Sequence, residues 1–280
     1  MRLIALLLAL LLSAAQAGTV REGAVRSKQL GRALPYTVYL PDGYGEGRLR
    51  YPVFYLLHGM GGNQHSWTGA GEIGRIADEL IAAKAIPPTL IVMPAAESTW
   101  YVDRKERMES AFIQDLIPAI DAEYRTVRSR KGRVLAGYSM GGYGSLRFAL
   151  KYPHVFAAAA LLSPAIYDPL PPPISAANSV GVFGADSFDA RVWRELNWPS
   201  LLPGFLARRL EVPIYIVTGD DDAYGVELHV SKLYGRLREA GQPAELRIVD
   251  GGHSWDVWRS TIGEAMRYIF SFASPAVSAP

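Results

Sequence analysis

The chain has 280 residues, of which 49% are hydrophobic and 20% charged, and its formal net charge is +2. This composition is typical of a globular protein with a sizeable core, in one large domain or two small ones. The 29 basic and 27 acidic residues are well mixed, so nucleic-acid binding has little support, and the lack of cysteine excludes disulfides and a lipidated cysteine.

The first residues have the pattern of a secretory signal peptide. Arg2 precedes an apolar run over residues 3–12, and Ala15-Gln16-Ala17 has the A-x-A spacing of a cleavage site. A membrane anchor is the alternative, but a bilayer span needs about 20 apolar residues, and this run is shorter. We therefore expect a signal peptide over residues 1–17 and a secreted or periplasmic mature protein without a membrane span.

Short apolar runs and amphipathic stretches alternate along the rest of the chain. Strands are predicted over residues 33–40, 53–57, 89–93, 133–137, 155–162, 214–218 and 246–249. Helical spacing of apolar residues predicts helices over 72–84, 109–124, 140–151, 226–240 and 256–272. Pro118 is expected to kink or restart the second of these helices. This order predicts an α/β fold, with a mostly parallel central sheet covered by helices on both faces.

One segment, between Ser163 and Leu206, interrupts this alternation. It contains Pro169 and the run Pro171-Pro172-Pro173, and it is too long for an ordinary loop. Its aromatic residues favour a packed cap over a loose surface excursion; they are Phe183, Phe188, Trp193 and Trp198. We predict a single domain over residues 18–273, with a cap insertion over about 164–206 and a disordered tail over 274–280.

The stretch AGYSMGG places Ser139 between Gly137 and Gly141 at the spacing G-x-S-x-G. This motif marks a sharp strand-to-helix turn that exposes a reactive serine, although a glycine-rich loop produces the same spacing by chance. Here an apolar strand precedes the motif and a helix follows it. His58, the run Asp220-Asp221-Asp222 and His253 also follow predicted strands, and the carboxyl ends of parallel strands meet at one edge of a sheet.

A serine nucleophile needs a base within hydrogen-bond reach and a carboxylate that orients the base. In this kind of fold the chain order is serine, acid, histidine, and the chain supplies Ser139, the aspartate run and His253 in that order. Any of the three aspartates fits this argument, and the run could instead bind a cation or form a solvated turn. His58 is expected to order the loop around the site. Structural roles are expected for the remaining histidines, which are His65, His154 and His229.

Attack on a carbonyl creates an oxyanion, which two backbone N–H groups would stabilise. The expected donors are Met140, directly after the serine, and Met60, in the glycine-rich loop that follows the strand over 53–57. Four aromatic residues are candidates for lining the acyl or alcohol pocket, although such residues more often lie in the core. They are Trp67, Trp100, Tyr101 and Trp255.

Longer segments together resemble the "Putative esterase" family of the α/β-hydrolase superfamily, a group that includes feruloyl esterases, S-formylglutathione hydrolase (esterase D) and the antigen 85 mycolyltransferases. The segments are LLHGMGGNQHSW (56–67), IVMPAAESTWYVD (91–103), FIQDLIPAIDAEYRT (112–126), GYSMGGYGSLRFALKYPHVFAAAALLSP (137–164), TGDDD (218–222) and GGHSWDVW (251–258). The resemblance implies an α/β-hydrolase fold, Ser139 as nucleophile, His253 as base and oxyanion donors at Met60 and Met140. It also implies Asp222 as the acid, because the family's acid is the last residue of a G-x-x-D turn.

Together with the predicted signal peptide, the resemblance implies a secreted serine carboxylesterase that forms an acyl-serine and needs no cofactor or metal. Its substrate would be a small-molecule or polysaccharide-linked ester, of feruloyl or acetyl type. Acyl transfer to a sugar or lipid alcohol, a non-catalytic binding module and a serine peptidase of the same fold are the alternatives. The cysteine-bearing oxyanion segment of S-formylglutathione hydrolases is absent, and mycolyltransferases usually have an aspartate in place of His58. Both differences favour the simple esterase.

Overall fold

A computed structural model describes residues 17–184 and 186–278. The signal peptide predicted over residues 1–17 therefore lies outside the described residues except for Ala17, and so does the end of the tail, residues 279–280. In the two described ranges there is no helix that is long and apolar enough to cross a bilayer.

Strands and helices alternate through most of the described chain. The strands are β1 (Thr19–Arg26), β2 (Ala33–Leu40), β3 (Leu49–Arg50), β4 (Val53–Leu57), β5 (Leu90–Pro94), β6 (Arg133–Tyr138), β7 (Ala158–Leu162), β8 (Ile214–Gly219), β9 (Ala244–Val249) and β10 (Val277–Ser278). The helices are α1 (Ile73–Ala82), α2 (Met108–Ser110), α3 (Ile117–Glu123), α4 (Met140–Lys151), α5 (Ala190–Leu196), α6 (Trp198–Ala207), α7 (Val226–Glu239) and α8 (Trp255–Phe270). The boundaries of the predicted elements differ from these by a few residues at most.

The main sheet has the strand order β1-β2-β5-β4-β6-β7-β8-β9 within the part of the chain that the structure describes. The pairs β1–β2 and β2–β5 are antiparallel, and every neighbouring pair from β5–β4 to β8–β9 is parallel. The prediction of a mostly parallel sheet is therefore confirmed. Because the parallel strands run in one direction, the loops after β4, β6, β8 and β9 emerge at the same edge.

Alternate residues of each central strand enter two separate cores. Phe54 and Leu56 of β4 pack with α1 and α8 on one face, whereas Val53, Tyr55 and Leu57 pack with α4 and α7 on the other. All five residues of β4 are buried, which explains why its sequence is a continuous apolar run. Helices cover both faces of the sheet, as predicted.

The helical stretch predicted over 109–124 is divided. A π-helical turn over Ala111–Leu116 separates α2 from α3, and Pro118 lies in the first turn of α3. Proline has no N–H to donate, so it is tolerated in a first turn, where that N–H has no helical partner. Residues 108–123 are helical without a break, so the expected kink or restart takes the form of a change from π-helical to α-helical geometry directly before Pro118.

The unpredicted elements include the first and the last strand of the described chain. β1 has the sequence TVREGAVR and is mostly exposed at the sheet edge, so it lacks the apolar pattern of a buried strand. The tail expected to be disordered from residue 274 forms β10, which pairs with β3 through Val277 with Arg50 and Ser278 with Leu49.

The chain between β7 and β8 is packed and partly helical. It contains α5 and α6, and Trp193 and Trp198 are both buried. Their indole N–H groups donate to backbone carbonyls of the same segment: Trp193 to Tyr167 at 3.1 Å and Trp198 to Ile166 at 3.2 Å. The buried aromatic residues of this segment belong to the same core as α4: the Trp193 ring lies 5.8 Å from that of Tyr143 and 6.0 Å from that of Trp100. A capping role for this segment remains a prediction.

Candidate active site

Ser139 occupies a strained turn between β6 and α4. Its backbone angles are φ 53° and ψ −119°, in a region that residues with a side chain rarely adopt, and such a conformation costs about 1–3 kcal/mol. The end of β7 holds the turn from both sides: the Ser139 N–H donates to the Leu162 carbonyl at 2.9 Å, and the Ala165 N–H donates to the Ser139 carbonyl at 3.0 Å. The turn leaves the serine side chain partly exposed at the edge of the sheet.

The glycines of the motif allow close contacts between backbone segments. A Cβ on Gly137 would lie 2.4 Å from the Gly141 carbonyl carbon, and one on Gly141 would lie 2.5 Å from the Leu57 oxygen. Neither distance leaves room for a methyl group. The G-x-S-x-G spacing therefore reflects how tightly α4 begins against β4 and β6.

The three predicted catalytic side chains lie in one hydrogen-bonded chain. His253 Nε2 is 2.9 Å from Ser139 Oγ, and His253 Nδ1 is 2.7 Å from Asp222 Oδ2. The Asp222 side chain is 0% exposed and that of His253 13% exposed. Because the buried carboxylate accepts from Nδ1–H, Nε2 is left free to accept the serine proton, as a general base must.

The geometry separates Asp222 from the other two aspartates of the run. Asp220 and Asp221 are exposed and lie with Asp250, their carboxylate oxygens within 4.8 Å of one another. Asp220 Oδ1 also accepts from the Gly251 N–H at 3.1 Å. Of the run, Asp222 is thus the member that reaches His253.

Glycines also bring the acid and base loops together. A Cβ on Gly219 would lie 1.8 Å from the Gly251 oxygen, so the loop after β8 touches the loop after β9 backbone to backbone. Gly251 itself has φ +131°, which favours glycine. Asp222 and His253 follow these two glycines and are held at hydrogen-bond distance by this contact.

The two predicted oxyanion donors lie in the loop after β4 and at the start of α4. Met140 is the first residue of α4, where a backbone N–H has no helical acceptor, and Met60 lies in the turn after β4, next to Gly61 with φ +73°. Among the residues that the structure describes, neither N–H has an acceptor. Both are therefore available to a substrate oxygen.

His58 connects the Met60 loop to the rest of the edge. Its Nδ1–H donates to the Gly59 carbonyl at 2.7 Å, and its Nε2 accepts from the Ala96 N–H at 2.9 Å. Burial lowers the pKa of His58 to about 4, so the ring is neutral at ordinary pH and makes both bonds. The Tyr101 hydroxyl donates to the His58 carbonyl at 2.9 Å. These bonds support the expectation that His58 orders the loop.

The expectation that four aromatic residues line the pocket needs correction for three of them. Trp67, Trp100 and Tyr101 are 1%, 2% and 0% exposed, and so belong to the core. Trp67 donates its indole N–H to the Leu57 carbonyl at 3.0 Å, which braces β4 rather than a substrate. Only Trp255 of the four is partly exposed, with its ring 4.7 Å from that of Tyr138.

Two rings beside His253 were not predicted as parts of the site. The centroids of Tyr224 and Trp258 lie 4.7 Å and 5.1 Å from that of His253. Trp258 could have been found from its place in GGHSWDVW. Tyr224 follows Asp222 by two residues, in a stretch that carries no recognisable motif.

These features define the class of protein. A serine on a strained turn after a central strand, followed by an acid and a histidine after later strands of a mostly parallel sheet, is the arrangement of the α/β-hydrolase fold. The chain belongs to the "Putative esterase" family, whose sequence profile matches residues 27–269.

Curated relatives and solved structures agree with this assignment. The chain is 35% identical over 162 residues to an endo-1,4-beta-xylanase/feruloyl esterase of Xylanibacter ruminicola, and 27% identical over 231 residues to an acetyl esterase of Caldicellulosiruptor saccharolyticus. The second match covers 78% of this chain and 82% of the relative, whereas the first covers 54% and 22%. An esterase of Mycobacterium tuberculosis is matched over 27% of its own length. The chain thus spans about a quarter of the length of the relatives it matches first.

A solved ferulic acid esterase is similar in fold, with a TM-score of 0.77 at 25% identity over 91% of this chain and 98% of that one. An S-formylglutathione hydrolase of Staphylococcus aureus has a TM-score of 0.73 at 18% identity, over 91% of this chain and 100% of that one. At that identity the similarity shows the fold alone.

Proposed function

We propose that this protein is a serine carboxylesterase with Ser139 as nucleophile, His253 as general base and Asp222 as the orienting acid. The observation that carries the proposal is the continuous hydrogen-bonded chain from Ser139 Oγ through the imidazole to the buried Asp222 carboxylate. Serine alone is a weak nucleophile at neutral pH, and this chain supplies both the base and the carboxylate that fixes the tautomer of the base.

In the acylation step, Ser139 Oγ attacks the ester carbonyl carbon while its proton moves to His253 Nε2. The carbonyl oxygen becomes an oxyanion, for which the free N–H groups of Met60 and Met140 are the proposed donors. The imidazolium then gives its proton to the alkoxy oxygen as the carbon–oxygen bond breaks. An alcohol leaves, and the acyl group stays on Ser139.

In the deacylation step, water takes the place of the alcohol. His253 removes a proton from water, the resulting oxygen attacks the acyl carbon, and the second oxyanion uses the same two donors. Its collapse returns the proton to Ser139 Oγ and releases a carboxylic acid. Each step needs one proton shuttle, and no metal or cofactor takes part in this proposal.

For the substrate, we propose an acetyl or hydroxycinnamoyl ester, on a small alcohol or on a polysaccharide. Support comes from the relatives, which include a xylanase/feruloyl esterase and an acetyl esterase. The segment expected to cap the site supports a shaped pocket, since its Tyr167 ring lies 6.4 Å from that of Tyr224, which in turn contacts His253.

The test is hydrolysis of p-nitrophenyl acetate, butyrate and octanoate and of methyl ferulate by the wild type, Ser139→Ala and Ser231→Ala. Ser231 is exposed on α7 and serves as the matched control. Loss of the nucleophile should lower kcat by about 10³-fold or more, with the control unchanged. Full activity in Ser139→Ala would contradict the proposed nucleophile.

Two further arms separate the alternatives. An added sugar or lipid alcohol distinguishes acyl transfer, because the acylated alcohol would then outweigh the free acid among the products. Amide substrates distinguish a peptidase. A wild type that is inactive on every ester and amide would instead indicate a binding module.

We also propose that the mature protein is exported, on the strength of the A-x-A pattern ending at Ala17. Expression of the full chain in a bacterial host, followed by mass spectrometry of the amino terminus, tests this. A product that starts at Gly18 in the periplasm or medium supports export, and an uncleaved cytoplasmic product contradicts it.

A further inference from the structure

The imidazole of His253 lies against two aromatic rings as well as its acid and nucleophile. The Tyr224 ring contacts it at a centroid distance of 4.7 Å and an interplanar angle of 64°, and the Trp258 ring at 5.1 Å and 89°. Asp222 is the charged group that faces the imidazole, and the two rings carry no charge. The base is thus held by one carboxylate and two π-systems.

The rings are fixed by different means. Trp258 donates its indole N–H to Ser163 Oγ at 3.1 Å and stacks on Tyr138 at 4.2 Å. Tyr224 is fixed through its backbone, because its N–H donates to Asp222 Oδ1 at 3.0 Å. The same aspartate therefore binds His253 with one carboxylate oxygen and the Tyr224 backbone with the other, which sets the ring beside the imidazole.

We propose that Tyr224 is a positioning residue whose aromatic ring stabilises the imidazolium form of His253 during ester cleavage; this rests on the proposed function. In both steps of that reaction a proton moves from an oxygen to His253 Nε2, and the ring gains a positive charge. An aromatic ring attracts a cation that lies over its face within about 6 Å of the ring centroid, and more strongly where water is excluded. The 4.7 Å centroid distance places the His253 ring within that range of Tyr224. The interaction is therefore stronger in the transition state than in the resting enzyme, which is the condition for acceleration.

The ring has a second effect on the same contact. The Asp222 carboxylate is fully buried, although the residues on either side of it in the sequence, Asp221 and Ala223, are exposed. Tyr224 is partly buried and packs on the imidazole that this carboxylate binds. A smaller side chain would admit water to the His253–Asp222 hydrogen bond and weaken it.

The experiment compares Tyr224→Phe, Tyr224→Leu and Tyr224→Met on p-nitrophenyl acetate. Phenylalanine keeps the aromatic ring, whereas leucine and methionine keep apolar bulk without it. Tyr234→Leu is the control, since Tyr234 is a partly buried tyrosine farther along α7. Thermal melting of each variant shows whether it is folded. Methionine is unbranched and flexible, so Tyr224→Met can fold without the ring even if Tyr224→Leu does not.

The Leu and Met variants should lose about 2- to 30-fold in kcat with KM within about twofold, from the strength of such cation–π contacts. Tyr224→Phe and Tyr234→Leu should stay close to wild type. The inference is overturned if Leu or Met, when folded, matches Phe in kcat, or if KM rises at constant kcat, since the ring would then contact substrate. Inactivity of the wild type on all esters would refute the proposed function itself, whereas the other outcomes leave that function intact.

Discussion

The buried carboxylate of Glu109 gives the sharpest test of how α4, which begins at the candidate nucleophile, is held in place. Glu109 is 2% exposed, and its Oε2 accepts from Arg147 Nε at 2.6 Å. Its Oε1 accepts from the Tyr152 hydroxyl at 2.7 Å and from Lys151. Arg147 also donates to the Leu196 carbonyl at 2.7 Å, so the group joins α2, α4 and the end of α5.

Replacing Glu109 by glutamine keeps the shape of the side chain but leaves the buried Arg147 without its counter-charge. Removing one partner of such a pair costs about 3–5 kcal/mol. In a domain of this size each kcal/mol lowers Tm by about 2–4 °C, so Glu109→Gln should melt about 6–20 °C below wild type. Glu97→Gln is the matched control, because Glu97 is 64% exposed and its ion pair with Arg32 should contribute less than about 1 kcal/mol.

The pH dependence of the difference in Tm adds a second constraint. Burial would raise the pKa of the Glu109 carboxyl, but Arg147, Lys151 and Tyr152 together hold it below its usual range. A lowered folded pKa contributes stability above the unfolded value of about 4.3 and loses it as pH falls through the folded value. The gap between wild type and Glu109→Gln should therefore shrink below about pH 4. A difference under about 2 °C at pH 7, or a gap that widens in acid, would refute the reasoning.

Two other expectations concern the site itself. Asp222→Asn should lower kcat on p-nitrophenyl esters by about 10³- to 10⁴-fold with little change in KM, because the amide no longer fixes the His253 tautomer. Asp221→Asn is the control and should stay near wild type. Equal losses of kcat in both variants would contradict Asp222 as the acid. His58→Gln should lower both kcat and stability. The folded pKa of His58 is about 4, below the unfolded value of about 6.5, so wild-type stability should fall as pH drops between these values, and urea titrations should show a flatter profile in the variant.

The parts of the fold that could be predicted are those whose burial leaves a regular pattern. The run VFYLL of β4 is buried on both faces and α4 begins and ends at the predicted residues. β1 was missed because an exposed edge strand needs no apolar side chains. α6 was missed because Pro199 and Pro203 lie within it, and its position depends on contacts with distant parts of the chain.

In the site, the order of Ser139, Asp222 and His253 was predictable because each follows a predicted strand. The pocket aromatics were not, since proximity to a motif does not decide which way a side chain turns. Trp67 turns inward and satisfies a β4 carbonyl. Tyr224 was missed because its position comes from a backbone hydrogen bond to Asp222, which every residue type except proline could make, so the sequence carries no signal for it.

Several residues at the edge of the sheet that carries the candidate active site have strained backbone angles, which indicates that this edge is rigid. Ser139, Ser163, Trp100 and Tyr101 all have positive φ, and each follows a strand of the sheet's central part. Such conformations persist only where surrounding contacts over-determine them. Those contacts are present here: Ser163 accepts from Trp258, and Tyr101 donates to His58. The frame that holds the reacting atoms is therefore buried and hydrogen-bonded.

Substrate specificity must then depend on the side chains that are exposed beside this buried frame. Met60 is 37% exposed while its backbone N–H is a proposed oxyanion donor, and Trp255 is partly exposed beside the Tyr138 ring. A substitution in the frame alters the geometry of the reacting atoms, which every ester shares, so it should lower all rates by a similar factor. A change of side chain at Met60 or Trp255 leaves that geometry in place and alters only what an acyl or alcohol group meets. Ratios of kcat/KM between substrates, rather than the rates themselves, are the quantity that such surface changes should move.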